Sequence, residues 1–265
     1  MEVRIIHENS IAYEFLKNKT RYDYIYQFSN LERNNWKNVV CFGLYDEEKL
    51  QEIAMLNINY QIPVLLGATF SDARYNVELM KRIKGMLPPK FYTHMDKITL
   101  ETVFSEDNIL DLEEYKNMGL CDYEQISTVK NNEAERLTFK NIDEIKELIS
   151  ESYPEAWLDD ELVKLNENFG IYKEGKLISF AGIHAYSEEY QVAAVAHVAT
   201  HPEFRRKGYA EKVVLALSNS LKEKVRYIGL NVKADNFKAI NCYKKLGFQE
   251  FGNFVACEIE LDRNK

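Results

Sequence analysis

Cysteine is scarce in this sequence of 265 residues, and its placement forms no recognisable metal-binding motif. The four cysteines, Cys41, Cys121, Cys242 and Cys257, lie far apart and include no CxxC pair, which excludes the usual zinc frameworks. Sparse and unpatterned cysteines are typical of proteins in a reducing compartment. We therefore expect no bound metal and a cytoplasmic location.

Long hydrophobic runs and an excess of positive charge are absent as well. No window approaches the roughly 20 apolar residues of a membrane-spanning helix. The opening MEVRIIHENS lacks the apolar core of a secretory signal. The chain has 34 Lys and Arg residues and 42 Asp and Glu residues. Because proteins that bind nucleic acids are usually basic, the net charge of −8 argues against a nucleic-acid partner. We expect a soluble intracellular protein that binds neither membrane nor nucleic acid.

Two familiar phosphate-binding loops, GxGxxG and GxxxxGK[ST], are missing too. The stretch 197–210, HVATHPEFRRKGYA, offers a different arrangement. The β-branched and apolar segment 192–200 favours a strand, and the apolar spacing from Ala210 to Leu221 favours a helix. A strand, a basic turn with Gly208 and a helix N-terminus direct unpaired N–H groups to one spot, where an anion such as phosphate can bind.

The two halves of the chain resemble each other at two places. Residues 42–50 (FGLYDEEKL) match 169–177 (FGIYKEGKL), and residues 115–120 (YKNMGL) match 243–248 (YKKLGF). The two matches have nearly the same offset and the same order along the chain. They predict an internal duplication of one α/β unit.

The length also suits two domains of about 130 residues each. We predict domains at 1–128 and 129–265, each a mixed and mostly antiparallel sheet flanked by helices. Strands over 192–200 and 227–232 should be parallel and should splay apart. Helices are predicted over 72–86, 107–118 and 236–246.

Arg205-x-x-Gly208-x-Ala210, between the predicted strand and helix, resembles the acyl-CoA pyrophosphate loop of the GNAT superfamily of N-acyltransferases. The segment Thr200-His201-Pro202-Glu203-Phe204 before it is similar to the strand end in that family. The resemblance implies an α/β fold of this family and acyl transfer to an amine as the activity.

A second motif, Asn236-x-x-Ala239-x-x-x-Tyr243, resembles the closing motif of the same family. It is followed by Gly247, where a helix C-cap is expected, and by Phe248, which leads back to the sheet. With the preceding hairpin, the resemblance extends over 137–261.

The resemblance implies acetyl-CoA as co-substrate. Backbone amides near Val198 and Thr200 would pair with its pantetheine arm like an added strand, and Asn236 would hydrogen-bond the same arm. Arg205 and Arg206 would add charge beside the pyrophosphate. The N–H groups that would hold the pyrophosphate belong to Arg206, Lys207, Gly208, Tyr209 and Ala210.

The resemblance also implies that Tyr243 stands at the sulfur as general acid. A phenol has a pKa near 10 and a thiol near 8.5, so complete protonation of the departing thiolate is uphill by about 2 kcal/mol. A hydrogen bond that strengthens as charge develops on sulfur needs no complete transfer. A core tyrosine on an amphipathic helix is the alternative, and Tyr115 has the matching place in the first half.

The general base stays unassigned. An alkyl ammonium ion of pKa near 10.4 is neutral only about once in 10³ at pH 7, so roughly 4–5 kcal/mol must come from a base or a shifted pKa. Some family members place a glutamate at the start of the motif strand, where this chain has Val192. The candidates on or beside the central hairpin, each also open to a structural role, are His184, Glu188, Glu189 and His197.

The first half lacks the same set of residues. No Arg-x-x-Gly-x-Ala follows Thr69, and the place of Asn236 falls near Asn108 without the matching alanine. We expect a degenerate copy that builds structure and one wall of the acceptor cleft, and hence one active site per chain. Its aromatic residues are expected in the core or along that cleft: Tyr22, Tyr24, Tyr26, Phe28 and Trp36.

Two other functional classes stay open. The chain could be a non-catalytic acyl-CoA sensor or scaffold, or an acyltransferase with another acyl donor. The acceptor is expected to be a small-molecule or lysine amine, and the acidic balance favours a cationic one. Monomer and homodimer are both compatible with the sequence.

Overall fold

The computed structural model of the chain describes residues 1–67, 72–128, 133–152 and 158–261. The first part of the chain alternates between short helices and strands. Its elements are β1 (Glu2–Ile6), α1 (Asn9–Leu16), α2 (Ile25–Asn30), α3 (Arg33–Trp36), β2 (Val39–Asp46), β3 (Lys49–Asn57), β4 (Val64–Leu66), α4 (Ala73–Ile83), β5 (Lys90–Met95), α5 (Lys97–Val103) and β6 (Ile109–Leu120).

The second part continues with the elements that carry both motifs. They are α6 (Tyr123–Thr128), β7 (Glu135–Leu137), α7 (Ile142–Ser152), α8 (Asp160–Val163), β8 (Asn168–Lys173), β9 (Lys176–Ser187), β10 (Val192–Thr200), α9 (Tyr209–Leu221), β11 (Tyr227–Lys233), α10 (Phe237–Lys245) and β12 (Phe248–Glu260). None of the described helices is both long enough and apolar enough to cross a membrane.

The chain divides into two compact units that are not consecutive in sequence. The second unit consists of Met118–Val232 and Asn236–Glu250. The first unit consists of Met1–Asn117, Lys233–Asp235 and Phe251–Lys265. These bounds differ from the predicted 1–128 and 129–265.

The first unit has a mixed and mostly antiparallel sheet. Strands β1 to β4 pair antiparallel in that order, and β4 pairs in parallel with β5. Helix α4 begins where the sequence predicted, because the side chain of Asp72 accepts the N–H of Arg74. Its apolar stripe, Leu79, Met80 and Ile83, is buried in the core of this unit.

The last strand of the chain completes the first unit. Residues 255–260 of β12 pair antiparallel with 90–95 of β5. Val255, Cys257 and Ile259 alternate along β12, as the sequence predicted, and their side chains enter the core around Phe91. The alternation indicates a buried face but does not say which sheet the strand joins.

The second unit repeats the general plan. Strands β7 to β10 pair antiparallel in that order, and β10 pairs in parallel with β11. Helix α9 buries Val213, Val214 and Leu217 against these strands. The predicted fold class, mixed α/β with mostly antiparallel sheets flanked by helices, is confirmed.

The helix predicted over 107–118 is wrong, because Ile109–Leu120 forms strand β6. Met118 and Leu120, at its end, are fully buried. In its middle, the carbonyl of Glu114 accepts the N–H of Ala234, far away in sequence. Pairing and burial in a sheet therefore outweigh the local helical spacing.

Strand β6 also removes one of the two matches behind the predicted duplication. Tyr115 lies in this strand, whereas Tyr243 lies in helix α10, so the two similar sequences adopt different structures. The other match holds at the level of the fold. Residues 42–50 and 169–177 both form β-hairpins, with Glu47 and Glu174 at positive φ in the turns.

Candidate functional site

Two parallel strands of the second unit begin as partners and then stop pairing. β10 and β11 are in register from Val192 opposite Tyr227 to Val195 opposite Leu230. Within the described residues, no pair joins them beyond Val195, although β10 continues to Thr200 and β11 to Lys233. The unpaired edge of β10 can hydrogen-bond an extended ligand, as the prediction for Val198 and Thr200 requires.

The hairpin of β9 and β10 contains two irregularities in this region. The register shifts between Ala194 and Val195, where β9 has His184 as an extra residue, and again between Ala196 and Ala199. At the second shift His197 has a φ of 54°, a left-handed conformation that is uncommon for a residue with a side chain. Bulges of this kind redirect side chains and are frequent beside functional sites.

The turn that joins β10 to α9 places a glycine at the helix N-terminus. Gly208 is the N-cap of α9 with a φ of 78°, and it offers no side-chain acceptor to the first N–H groups of the helix. A Cβ at this position would meet no atom within 4 Å, so conformation rather than space requires glycine. The N–H groups of Tyr209 and Ala210 lie in the first turn, where an anion is stabilised.

The basic side chains of the turn differ in what they contact. The Nε of Arg205 donates to the carbonyl of Thr200 at 3.1 Å, and its Nη2 donates to the carbonyl of Ser152 at 3.0 Å. The Nζ of Lys207 donates to the carbonyl of Glu203 at 3.3 Å. Arg206 is exposed at a φ of 64°. Arg205 thus ties the end of β10 to the end of α7, while Arg206 extends into solvent.

The second motif forms helix α10, as predicted. The side chain of Asn236 accepts the N–H of Ala239 at 3.1 Å and caps the helix. Because the side-chain oxygen of Asn236 already accepts this hydrogen bond, its NH₂ group is the part that can donate a hydrogen bond to a ligand. Gly247 has a φ of 88°, and a Cβ there would lie 2.6 Å from the carbonyl oxygen of Asp122, so this position requires glycine.

Tyr243 is 8% exposed and belongs to the core of the second unit. Its ring lies 6.0 Å from that of Phe248, centroid to centroid. Cys242, its neighbour, is half-buried, and burial raises the pKa of its thiol to about 11. A thiol of that pKa is protonated at neutral pH, which disfavours a covalent acyl-cysteine intermediate.

The four candidate bases fall into two groups. Glu188 and Glu189 are exposed in the turn after β9, before the paired start of β10. His184 and His197 are half-buried at the two bulges, with ring centroids 5.6 Å apart. Burial and the neighbouring His184 lower the pKa of His197 to about 3, and burial also lowers the pKa of His184.

The first unit has a similar strand pair, β4 and β5, but different residues at the helix caps. Asp72 caps α4 where the second unit has Gly208, and hydrogen bonds from Arg74 lower its pKa to about 2. A carboxylate at this position repels an anion. Thr69 and the turn after it lie outside the described residues.

The counterpart of Asn236 in the first unit is not Asn108, which lies in a 3₁₀ turn before β6. It is Asp96, which caps α5 and accepts the N–H of Thr99 at 2.8 Å. At the spacing of Tyr243 from its cap, the first unit has Val103. An Asx cap at Asp96, directly after a strand, could have been recognised in the sequence. The false match at 115–120 instead led to Asn108 as the counterpart of Asn236.

The second unit also matches a known protein family. Residues 142–248 match the family model described as the acetyltransferase (GNAT) family. The matched range begins with α7 and includes the turn at 205–210 and helix α10. A search of curated protein sequences found no significant match.

Solved structures with the same fold cover nearly the whole chain. A GNAT-family protein from Novosphingobium aromaticivorans is 15% identical with a TM-score of 0.65, over 92% of this chain and 100% of that one. A Drosophila protein is 12% identical with a TM-score of 0.72, over 97% and 98%. A tandem GNAT protein from the clavulanic acid biosynthesis pathway is 10% identical with a TM-score of 0.58, over 100% and 99%. Residues 142–248 thus match the acetyltransferase (GNAT) family, and the chain as a whole shares the fold of these solved GNAT-family structures.

Proposed function

We propose that the second unit transfers an acetyl group from acetyl-CoA to a primary amine in a ternary complex. The observation that carries this proposal is the opening between β10 and β11, which is followed by the N-terminus of α9, without a side-chain cap, and by that of α10, capped by Asn236. An extended thioester with a pyrophosphate at one end matches a free strand edge followed by a helix N-terminus.

Different residues of the opening bind different parts of the cofactor. The N–H groups from Arg206 to Ala210 hold the pyrophosphate, and the exposed guanidinium of Arg206 adds charge. The main chain at Val198 and Thr200 pairs with the pantetheine arm, and the NH₂ group of Asn236 donates to it. Arg205 positions the turn through its bonds to Thr200 and Ser152, and its positive charge also lies beside the pyrophosphate.

The chemical step is a direct displacement. The amine nitrogen attacks the thioester carbonyl carbon, an N–C bond forms, and the C–S bond breaks with its electron pair on sulfur. The hydroxyl of Tyr243 donates a hydrogen bond as charge develops on that sulfur. The nitrogen loses one proton and the sulfur gains one, so a neutral amine and acetyl-CoA give an amide and free CoA.

Calorimetry and a turnover assay test this proposal together. Acetyl-CoA is titrated into the full chain, and release of free CoA is then measured over a panel of amino-acid amides, alkylamines, polyamines and aminoglycosides. We expect binding at one site and amine-dependent release. Binding without release for any amine would indicate a sensor or scaffold, and preferential binding of a longer acyl-CoA would indicate a different donor.

A further inference from the structure

The two histidines of the β9–β10 hairpin form a pair that the proposed function leaves without a role. Each stands at one of the two bulges, and their rings meet edge to face with an interplanar angle of 71°. Both bulges flank the point where β10 stops pairing with β11. His197 therefore lies in the part of β10 that borders the opening assigned above to the thioester, and His184 lies on the neighbouring strand β9.

His197 combines backbone strain with a polar atom that lacks a hydrogen bond. Its φ of 54° costs energy that the surrounding structure must offset. Its Nε2 is buried and makes no hydrogen bond to any of the described residues. A buried polar atom without a partner is costly, and such atoms in native proteins are commonly paired with water or a ligand.

The surroundings of the pair disfavour positive charge. Val195 and Ala199, which lie two residues before and two residues after His197 in β10, are buried and apolar. Besides burial, His184 lowers the pKa of His197, and the charge of Asp159, the N-cap of α8, raises the pKa of His184. Burial outweighs that charge, so both imidazoles are neutral at pH 7. The same desolvation disfavours an ammonium ion beside them.

We propose that Nε2 of His197 accepts a hydrogen bond from the acceptor's amino group, which is bound as the neutral amine, and that the acceptors are weakly basic amines such as α-amino groups. This inference rests on the proposed acetyl transfer. The hydrogen bond leaves the nitrogen lone pair free to attack the thioester. His197 thus binds the substrate and takes no proton.

The basicity of the amine determines what fraction of it is in the neutral, reactive form at pH 7. At pH 7 an α-amino group is neutral about once in ten, whereas a lysine ε-amine is neutral about once in 10³. A site that admits only the neutral form therefore favours the α-amine by about 10². This class differs from the lysine and polyamine acceptors that the acidic net charge favours.

The first test needs no variant. Release of CoA is compared between amino-acid amides, which present an α-amine, and matched Nα-acetyl-lysine amide, which presents only an ε-amine. We expect kcat/KM at pH 7 to be about 100-fold higher for the α-amines, and to rise with pH until the pKa of each amine is passed. Equal or preferred use of the ε-amine would overturn the inference and leave the acetyl transfer intact.

The second test uses two substitutions of one residue. His197→Asn keeps a side chain that tolerates the left-handed conformation but is too short to reach the Nε2 position, and His197→Gln restores an acceptor near it. We expect His197→Asn to lower kcat/KM for the α-amine at least tenfold with an unchanged Kd for acetyl-CoA, and His197→Gln to regain most of it. The exposed His7→Ala serves as the control.

The possible outcomes separate the two proposals. Full activity of His197→Asn, with the amine preference unchanged, would overturn the role of His197. Acetyl-CoA binding without acetylation of any amine would overturn the proposed function itself, and the inference with it. A lower kcat/KM for the α-amine in His197→Asn, with most of it recovered in His197→Gln, would support both the acetyl transfer and the role of His197.

Discussion

At the scale of single residues, two positions in the second unit are decided by chemistry and conformation rather than by packing alone. Tyr243 is buried on the helix that Asn236 caps, so a core role and a role at the sulfur are both compatible with its location. Gly208 has open space around it, and only its left-handed φ requires a glycine. Substitutions at these two positions therefore test different things.

Tyr243→Phe tests the role of the hydroxyl. If this group donates to the developing thiolate, kcat should fall by about 10²-fold, while the Kd for acetyl-CoA changes little because the ring still fills its place in the core. Steady-state kinetics and calorimetry measure the two quantities. Tyr227→Phe, at the start of β11, is the matched control, and an unchanged kcat in Tyr243→Phe would remove the acid role.

Gly208→Ala tests the anion-binding turn. An alanine held at a φ near 78° costs about 1–2 kcal/mol, which lowers the free energy of unfolding or forces the turn to rearrange. Rearrangement would move the N–H groups of the first turn and weaken acetyl-CoA binding, by about tenfold for each 1.4 kcal/mol.

Gly85→Ala is the control for this substitution. A Cβ at Gly85 would also meet no atom within 4 Å, but the φ of Gly85 is not positive. Denaturant unfolding should show little change in this variant. Equal stability and equal acetyl-CoA affinity in Gly208→Ala and the wild type would contradict a conformational requirement for glycine.

At the scale of secondary-structure elements, an ion-pair cluster holds the start of the second unit. Glu167 is 1% exposed and directly precedes β8, and its carboxylate meets Arg136 at 3.0 Å and Lys224 at 2.8 Å. Ser220, on α9, donates to it at 2.7 Å. The cluster thereby connects β7, β8, α9 and the loop before β11.

Glu167→Gln should lower the free energy of unfolding by about 2–3 kcal/mol at pH 7, because two cations lose a desolvated partner. Burial alone would raise the pKa of Glu167, but hydrogen bonds from Lys224 and Ser220 and the charge of Arg136 lower it below its usual value. The carboxylate therefore stabilises the fold above its unfolded-state pKa, and this contribution is lost as the pH falls through the folded-state pKa.

Denaturant unfolding at several pH values measures this contribution. The difference between the wild type and Glu167→Gln should begin to shrink below the pKa of about 4.3 of a glutamate in the unfolded chain, and should vanish as the pH falls through the lower pKa of the folded state. Glu161→Gln is the control, since the Glu161 side chain is 77% exposed and its pair with Lys164 should contribute almost nothing. A difference that stays constant from pH 7 to pH 3 would be inconsistent with this account.

At the scale of the whole molecule, the two GNAT-like units differ in the residues at equivalent caps. The first unit has Asp72 and Asp96 where the second has Gly208 and Asn236, and Val103 where the second has Tyr243. Two carboxylates in place of an uncharged glycine and an amide make the first unit unsuited to a pyrophosphate. This difference supports one acyl-CoA site per chain.

Calorimetry of acetyl-CoA binding should therefore give a stoichiometry of one per chain. The variant Gly208→Asp places a carboxylate beside the helix N-terminus of the second unit and should abolish the heat of binding altogether. A stoichiometry of two, or residual binding of full affinity in Gly208→Asp, would show that the first unit binds the cofactor as well.

The amino-acid sequence by itself determined the local parts of this protein. The resemblance of Arg205-x-x-Gly208-x-Ala210 and of Asn236 with Tyr243 to GNAT motifs could be recognised locally, because a left-handed cap and an Asx cap are properties of a few consecutive residues. The hairpin at 42–50 and the helix capped by Asp72 follow from equally local rules. These features need no partner from elsewhere in the chain.

Only the tertiary structure decided the features that depend on distant residues. The segment 109–120 became strand β6 rather than a helix, and β12 joined β5, because backbone pairing and burial in a sheet outweigh local spacing. The bulges that bring His184 and His197 together depend on the register between β9 and β10, which the residue pattern within one strand does not specify. The sequence thus predicted the loop proposed to bind the cofactor, while the environment of the two histidines, and with it the proposed acceptor class, became visible only in the folded chain.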